Sequence, residues 1–142
     1  MSIHDDVAAR LRRVGQRYTP ARRTLVDALA AADGPLSVVT LQAAAPSLPQ
    51  SSVYRNLADL EQAGAVARVP GPDDFSRYEL AEDLAGHHHH LVCTGCGQVL
   101  DFHLPAAAER AMNRAAADAA ASAGFSAVAH RLDLLGLCGA CA

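Results

Sequence analysis

Cysteine and histidine residues concentrate in two stretches of this 142-residue chain. One stretch runs from His87 to His103 and contains Cys93 and Cys96, and the other contains Cys138 and Cys141 near the C-terminus. Two Cys-x-x-Cys pairs separated by roughly forty residues match a tetrahedral four-cysteine zinc site with Zn–S distances of about 2.3 Å. We therefore predict a zinc ion bound by the four thiolates of Cys93, Cys96, Cys138 and Cys141.

Two other uses of these cysteines are less compatible with the sequence. A disulfide within Cys-x-x-Cys closes a strained loop, and nothing in the sequence indicates an oxidising compartment. A redox dithiol normally opens a helix, whereas Gly97 is followed by the strand-like residues 98–102. An all-thiolate zinc site has no open coordination position, so its predicted role is to fasten the C-terminus to the middle of the chain.

Four consecutive histidines, His87 to His90, precede the first cysteine pair. A purification tag would lie at a terminus, but this run leads directly into an apolar, strand-like segment. Successive side chains of a strand point to opposite faces, so His88 and His90 would share one face and His87 and His89 the other. This pattern predicts one metal site on each face, with a solvated polar strand edge as the alternative. Asp101 and His103 share a face of the following strand and could add ligands.

Composition separates a basic half of the chain from an acidic half. All twelve basic residues are arginine; residues 1–70 carry eight arginines and six acidic residues, and residues 71–142 carry four and nine. The basic half is where nucleic acid would bind. No apolar run is long enough for a signal sequence or a membrane span, so we expect no membrane partner. Four zinc-bound cysteines favour a reducing cytoplasm.

Start and stop signals predict four helices in the first 64 residues. Pro20 with Thr19 as N-cap is the strongest start, and Gly64 is a C-terminal cap. The first predicted helix starts at Asp5 or Asp6 and ends by Gly15, and the second starts at Pro20 and ends by Gly34. The third runs from Ser37 through Leu41 to Ala45, and the fourth runs from Ser51 or Ser52 to Ala63.

The fourth predicted helix has the pattern of a recognition helix. Val53, Leu57 and Leu60 lie at i, i+4 and i+7, which defines the buried face. Polar and aromatic groups remain outside near the N-terminal half, where a recognition helix enters the major groove of DNA. The exposed set is Ser51, Ser52, Tyr54, Arg55, Ala58 and Asp59.

A β-hairpin is predicted directly after this helix. Residues 65–69 and 77–80 are strand-like and are joined by a Pro-, Gly- and Asp-rich loop. Helices followed by such a hairpin form a winged helix. We predict an α+β protein: a winged-helix DNA-binding domain (residues 1–81), a hinge (82–86), and a small α/β metal-binding and dimerisation domain (87–142) that contains the four-cysteine zinc site.

The remainder of the C-terminal part should contain one helix and one more strand. Pro105 starts a helix that carries Glu109 and ends at Gly124, and residues 126–135 form a strand with Val128, His130, Leu132 and Leu134 on one face. A sheet with one helix has too small a core to stand alone, so a homodimer is expected. A dimer also suits proteins that bind two DNA half-sites.

The chain resembles the ferric uptake regulator family over nearly its whole length. The residues that carry the resemblance are Arg17-Tyr18-Thr19-Pro20-Ala21-Arg22, Ser52-Val53-Tyr54-Arg55-Asn56-Leu57 with Gly64, Arg77-Tyr78-Glu79-Leu80, the block from His87 to Cys96, and Cys138-Gly139-Ala140-Cys141. The resemblance implies a metal-dependent repressor whose N-terminal winged helix binds operator DNA and whose C-terminal domain dimerises.

The resemblance also implies ligand sets and DNA contacts. It implies structural zinc on the cysteines, and a regulatory ion, Zn²⁺ or Fe²⁺ with Mn²⁺ as a further possibility. Tyr54 and Arg55 with Ser52 would contact DNA from the recognition helix, and Arg17 and Arg22 would lie near the DNA backbone. The implied regulatory site is Glu79, His88, His90 and Asp101, and the implied second metal site is His87, His89, Glu109 and His130.

This chain departs from the family pattern in two places. Many members supply a regulatory ligand from a histidine at the position near Pro35, where this chain has none, so that site is either incomplete or uses His103. The zinc-sensing branch often has a cysteine near residues 79–83, where this chain has Glu79, Glu82 and Asp83. Imidazole and carboxylate ligands accept zinc, iron or manganese, so the sensed metal stays open between zinc and iron.

Three other functions are alternatives to a repressor of metal-uptake genes. A peroxide-sensing Fe²⁺-dependent repressor of the same family would use the same ligands. A zinc hydrolase or deaminase would need a His-Glu-x-x-His or His-x-Glu motif, which this sequence lacks, so we expect neither an enzyme nor a small-molecule substrate. A zinc-binding protein that never contacts DNA is the third alternative.

Overall fold

The computed structural model describes residues 1–73, 75–126 and 129–142, and these residues form a mixed α and β architecture. The described strands form two three-stranded sheets, ordered β1-β3-β2 and β5-β4-β6. The elements in chain order are α1 (Ile3–Arg13), α2 (Pro20–Ala31), β1 (Leu36–Ser37), α3 (Val38–Ala44), α4 (Gln50–Gln62), β2 (Val66–Val69), β3 (Arg77–Leu80), α5 (Glu82–Ala85), β4 (His89–Cys93), β5 (Val99–Phe102), α6 (Ala106–Ser122) and β6 (Asp133–Gly136).

Local capping chemistry explains where the N-terminal helices begin. Thr19 and Ser37 cap α2 and α3 as predicted, accepting hydrogen bonds from the backbone N–H groups of Arg22 and Thr40. Helix α1 begins before Asp5, because Ser2 and Asp5 form a capping box. Helix α4 begins before Ser51 and has no side-chain cap hydrogen bond.

One apolar core joins the four N-terminal helices to the first sheet. The predicted inward face of α4 is fully buried, with Val53, Leu57 and Leu60 at 0% exposure. Full burial of such a side chain contributes roughly 1.5–3 kcal/mol, so this face fixes how α4 lies on the bundle. The buried cluster comprises Val7, Leu11, Leu25, Val26, Leu29, Val38, Leu41, Ala45, Val53, Leu57, Leu60, Ala65, Val66, Tyr78 and Leu80.

The hairpin of the winged helix has a third strand that the sequence pattern did not reveal. Strands β2 and β3 pair antiparallel as predicted, with Val66 opposite Leu80. The two-residue β1 pairs with the other edge of β3, through Leu36 and Ser37. Two residues are too few to show a strand period, which is why sequence analysis missed β1.

The second sheet is built around the histidine strand. Strand β4 pairs antiparallel with β5, placing His90 opposite Asp101, and pairs parallel with β6. The predicted strand over residues 126–135 was wrong in extent, because the strand spans Asp133–Gly136. His130 therefore precedes the strand, and the expected position of Val128 lies outside the described residues. The predicted connector before β4 contains the short helix α5.

The two sheets meet where the loop after α2 lies on β5. The Asp101 backbone N–H donates to the Asp33 carbonyl at 2.8 Å. Gly34 allows this approach, because a Cβ at that position would lie 2.3 Å from the Val99 carbonyl oxygen. The N-terminal helical part is thus held against the strand that carries Asp101. Within the described ranges, no helix is both long and apolar enough to cross a lipid bilayer.

Candidate metal centres and nucleic-acid surface

The four cysteines converge at one point, although forty residues of chain separate the two pairs. Their sulfur atoms lie within 4.8 Å of one another, and all four thiols are free. Strand β4 ends at Cys93, and the turn after β6 brings Cys138 alongside it. Tetrahedral thiolate coordination of zinc needs this kind of grouping.

Backbone hydrogen bonds make one of these sulfurs an especially good thiolate. The N–H groups of Cys138 and Cys96 donate to Cys93 Sγ at 3.3 and 3.5 Å and lower the pKa of Cys93 to about 6. Hydrogen bonds with the neighbouring sulfurs raise the pKa of Cys141 to about 12. A bound zinc ion would favour the thiolate form of all four neighbouring sulfurs.

A second group of ligand atoms, the Glu79 cluster, contains Glu79, His88, His90 and Asp101. Glu79 Oε2 lies 3.0 Å from His88 Nε2 and 2.9 Å from His90 Nε2. Asp101 Oδ1 lies 3.6 Å from both ring nitrogens and is a buried oxygen without a hydrogen-bond partner among the described residues. Such an oxygen beside two imidazoles fits a divalent cation. The cluster takes Glu79 from the first sheet and the other three residues from or beside the second.

Charges inside this cluster shift the pKa values of its members. The hydrogen bond to Glu79 raises the pKa of His90 against the opposing effect of burial. Burial also opposes protonation of His88, but hydrogen bonds to the Gly86 carbonyl and to Glu79 raise its pKa overall. Burial raises the pKa of Asp101. Burial also acts to raise the pKa of Glu79, but the two histidines lower it overall. Without metal, the cluster therefore attracts protons to its imidazoles.

The opposite face of the histidine run forms the Glu109 cluster, made of His87, His89, Glu109 and His130. Glu109 Oε1 contacts His89 Nε2, while Glu109 Oε2 lies 3.3 Å from His87 Nε2 and 3.2 Å from His130 Nε2. His87 Nε2 and His130 Nε2 are themselves 3.2 Å apart. Three imidazoles and a carboxylate around one point suit a transition-metal ion. The predicted alternation of the histidines between two faces agrees with this geometry, even though β4 begins only at His89.

The second ring nitrogen of three of these histidines also has a partner. His88 Nδ1 lies 2.9 Å from the Gly86 carbonyl, and His90 Nδ1 lies 3.3 Å from Asp133 Oδ1. His87 Nδ1 contacts Glu82. Such partners fix a histidine's tautomer and leave Nε2 free for a metal. No local sequence pattern indicates Glu82 or Asp133 as such partners, because their proximity depends on the turn before β4 and on the β4–β6 pairing.

His103 lies outside both clusters. Its side chain is exposed, and its ring centroid lies 6.4 Å from that of His88. The loop near Pro35 has no histidine and instead contributes the Asp33 carbonyl, which accepts a hydrogen bond from the Asp101 backbone N–H.

The expected DNA contacts divide into exposed residues and one buried residue. Tyr54 is 48% exposed; Arg17 and Arg55 are also exposed, and Ser52 is partly exposed. Arg22 differs from the expectation of a residue near the DNA backbone, because it is only 7% exposed. Its guanidinium donates five hydrogen bonds to four acceptor atoms, which belong to Gln16, Arg17, Asn56 and Asp59. No N–H group remains for a phosphate, so Arg22 instead joins the loop before α2 to α4.

Comparison with known proteins gives consistent matches over most of the chain. The model of the ferric uptake regulator family matches residues 13–135. The chain is 31% identical to the peroxide-responsive repressor PerR of Staphylococcus saprophyticus over 142 residues, covering 96% of this chain and 90% of that protein. It is 33% identical to the ferric uptake regulation protein of Campylobacter jejuni over 137 residues, covering 92% and 83%.

Solved structures show the same fold. The ferric uptake regulator of Vibrio cholerae superposes with a TM-score of 0.70 at 26% identity, covering 90% of this chain and 96% of that one. A zinc-bound manganese uptake regulator superposes with a TM-score of 0.70 at 28% identity, covering 96% and 99%.

Proposed function

We propose that this chain, which belongs to the ferric uptake regulator family, is a metal-responsive transcriptional repressor that binds operator DNA as a metal-loaded dimer and controls metal-homeostasis genes. One observation carries the proposal. The Glu79 cluster takes one carboxylate from the winged-helix sheet and its other ligands from or beside the histidine-bearing sheet. A cation bound there contacts both parts of the molecule at once.

Three metal sites follow from the clusters. Cys93, Cys96, Cys138 and Cys141 would hold structural Zn²⁺, because four thiolates leave no open coordination position. Glu79, His88, His90 and Asp101 would hold the regulatory ion, Zn²⁺ or Fe²⁺ with Mn²⁺ also compatible with these ligands. His87, His89, Glu109 and His130 would hold a second ion, which we propose modulates the first.

Regulation would follow from linkage between the metal and the arrangement of the two parts. We propose that residues 1–81 form the DNA-binding domain, 82–86 the hinge and 87–142 the dimerisation domain. With a cation bound, Glu79 stays fixed against His88, His90 and Asp101, so the winged helix keeps one position relative to the second sheet. DNA affinity rises only as far as the cation favours that position over others.

DNA binding would use the exposed residues of the winged helix. Helix α4 presents Ser52, Tyr54 and Arg55 to the major groove, and Arg17 in the preceding loop would contact the phosphate backbone. In a dimer, two copies of α4 would meet successive half-sites. Free thiols in all four zinc ligands suit a reducing cytoplasm, where we place the protein.

A salt-resolved gel shift on DNA upstream of the chain's own gene tests this proposal. We expect zinc-loaded wild-type protein to bind, with affinity falling as salt rises. Tyr54→Ala and Arg55→Ala should each weaken binding by roughly 1–3 kcal/mol, whereas Asp118→Asn, at an exposed site on α6, should bind as wild type. Equal affinity of all variants for any DNA would show that α4 does not contact DNA.

Peroxide sensing is a second candidate function. It is favoured by the 31% identity to a peroxide-responsive repressor and by the placement of His88, His90 and Asp101 around one point. After Fe²⁺ loading and peroxide treatment, a sensor would gain an oxygen atom on one of these histidines and release DNA. Mass spectrometry of the treated peptide, with Zn²⁺-loaded protein as the control, separates a peroxide sensor from a metal sensor.

A further inference from the structure

Helix α5 connects β3 of the first sheet to β4 of the second and has no buried residue of its own. It is attached to the N-terminal core through Leu84, which is partly buried there. Its first two residues, Glu82 and Asp83, are neighbouring carboxylates that contact different parts of the molecule. Glu82 contacts the Glu109 cluster, and Asp83 contacts the winged helix.

The Glu82 carboxylate occupies the one ring nitrogen of His87 that faces away from the Glu109 cluster. His87 Nε2 faces His130 Nε2 at 3.2 Å and Glu109 Oε2 at 3.3 Å, while His87 Nδ1 contacts Glu82 Oε1. A carboxylate on the second nitrogen orients a ligating histidine and raises its basicity. His89, by contrast, has a buried Nδ1 with no partner among the described residues. Glu82 thus supports the most exposed imidazole of the cluster by contacting its second ring nitrogen.

Asp83 holds an arginine that also contacts the turn directly after α4. Arg10 NH1 and NH2 donate to the two carboxylate oxygens of Asp83 at 3.2 and 2.7 Å. The same NH1 donates to the Gly64 carbonyl at 2.7 Å. Gly64 follows the C-terminal end of α4 and turns the chain into β2 with φ of 76°. The position of Asp83 therefore bears on α1 and on the end of α4 together.

We propose that α5 couples the Glu109 cluster to the recognition helix: Glu82 positions His87 for a divalent cation, and Asp83 transmits the resulting position of α5 through Arg10 to the end of α4. When a cation fixes His87, it also restricts Glu82 and with it the short helix. Asp83, the next residue, then keeps its bidentate contact with Arg10. Metal at the Glu109 cluster thereby favours one orientation of α4.

The first test measures metal affinity and needs no DNA. Zn²⁺ binding at the Glu109 cluster is followed by chelator competition in the full chain carrying His88→Ala, which disables the Glu79 cluster. We expect Glu82→Ala in this background to weaken Zn²⁺ binding by about 10- to 100-fold, the usual effect of losing such a carboxylate. Asp118→Asn, an exposed carboxylate on α6, serves as the matched control and should change nothing. An affinity for Zn²⁺ unchanged by Glu82→Ala overturns the positioning role.

The second test is a double-mutant cycle on DNA affinity, and this part rests on the proposed function. Wild type, His130→Ala, Asp83→Asn and the double variant are compared at saturating Zn²⁺ on the same DNA fragment. We expect His130→Ala to weaken DNA binding in the wild-type background. When Asp83 is already changed, the effect of His130→Ala should be smaller by a factor of roughly 2 to 30. Additive effects, or no effect of His130→Ala, overturn the coupling. Failure of the proposed function has a different signature, because wild-type protein would then bind no DNA in response to any metal.

Discussion

Arg22 places a guanidinium group inside the helical bundle and leaves none of its donors unpaired. Nε donates to Asn56, and NH2 lies 2.5 Å from an Asp59 oxygen. NH1 donates to the Arg17 carbonyl at 2.6 Å. These contacts fix the loop that carries the exposed Arg17 against the helix that carries Tyr54 and Arg55. A side chain expected at the DNA backbone instead positions the loop and the helix that carry Arg17, Tyr54 and Arg55.

Removing the Arg22 guanidinium should destabilise the fold, because it leaves the Asp59 carboxylate partly buried without a cation. We expect Arg22→Gln to lower the free energy of unfolding by about 3 kcal/mol, measured by urea denaturation. Arg55→Gln, at an exposed position on α4, the helix that carries Asp59, should change it by less than about 0.5 kcal/mol. Equal stability of the two variants would contradict a role for Arg22 inside the bundle.

The histidines of the Glu79 cluster should give metal-free and metal-bound protein opposite pH dependences. The pKa values of His88 and His90 are raised above the ordinary 6.5. Their protonation therefore stabilises the metal-free fold below pH 6.5, and this stability is lost as pH rises through the raised pKa values. Metal binding requires neutral imidazole, so metal affinity rises over the same range.

Unfolding of the full chain between pH 6 and 8 should show this crossing, with a slope of up to about 1.4 kcal/mol per pH unit for each proton. Protein with only its structural zinc should lose stability with rising pH, and protein with added Zn²⁺ should gain it. His90→Gln should flatten both slopes, while Asp118→Asn, at an exposed site on α6, should retain them. Parallel slopes with and without added Zn²⁺ would be inconsistent with ligation by these histidines.

At the scale of elements, the loop after α2 determines how the winged helix contacts the second sheet. The contact is made by backbone groups, since the Asp33 carbonyl accepts from the Asp101 N–H at 2.8 Å. It brings the N-terminal helices to the strand that carries a predicted metal ligand. This chain thus has a direct backbone contact in the loop before Pro35, which contains no histidine.

Gly34→Val should break that contact, because its Cβ would lie 2.3 Å from the Val99 carbonyl oxygen. We expect a loss of about 1–3 kcal/mol in stability and faster hydrogen exchange at the Asp101 amide. Gly136→Ala is the matched control, since a Cβ there meets nothing within 4 Å. Protection of the Asp101 amide that survives Gly34→Val would mean that the loop does not hold the two sheets together.

The elements that could be predicted from sequence were those with strong local signals. Thr19-Pro20 and Ser37 defined helix starts through their own side chains, and the spacing of Val53, Leu57 and Leu60 defined a buried face. Strand β1 and helix α5 were missed because two and four residues are too short for a periodic pattern. The last strand was misplaced because the apolar alternation in residues 126–135 continues outside the segment that pairs with β4.

The candidate sites likewise contain some features with a local sequence signal and others without one. Alternation along the histidine run separates two ligand faces from local geometry alone, and paired cysteines indicate zinc by spacing. The burial of Arg22 and the contacts of Glu82 and Asp133 depend on how distant elements pack, so no local pattern contains them. Only the family resemblance indicated Glu79, Glu109 and His130 as the ligands that complete the two sets.

At the scale of the whole molecule, a single chain leaves an apolar surface uncovered around the second sheet. Strand β6 lies at the sheet edge, and Leu135 is 70% exposed, with Leu91, Leu134 and Leu137 at 42–58%. Helix α6 buries none of its residues within the single chain. Exposed apolar groups on a sheet edge favour pairing with a second copy, as the proposed dimer requires.

Leu135→Glu should therefore weaken the dimer, because it places a charge in the apolar surface. We expect analytical ultracentrifugation at micromolar concentration to show a shift from dimer toward monomer with the helical content unchanged. Val39→Glu alters an equally exposed side chain on α3 (70%) and should remain dimeric. A Leu135→Glu variant that stays dimeric would place the interface elsewhere.

We expect a removable cation at the Glu79 cluster to control DNA binding. The most direct measurement is DNA affinity at fixed salt, with regulatory metal present and after a mild chelator that leaves the cysteine-bound zinc in place, as verified by metal analysis. We expect DNA affinity to decrease by roughly 5- to 150-fold on chelation and to be restored by adding metal back. His88→Ala protein should bind DNA weakly throughout and show no such decrease. DNA affinity unchanged by chelation, with the zinc of the four cysteines still bound, would contradict control by this cation.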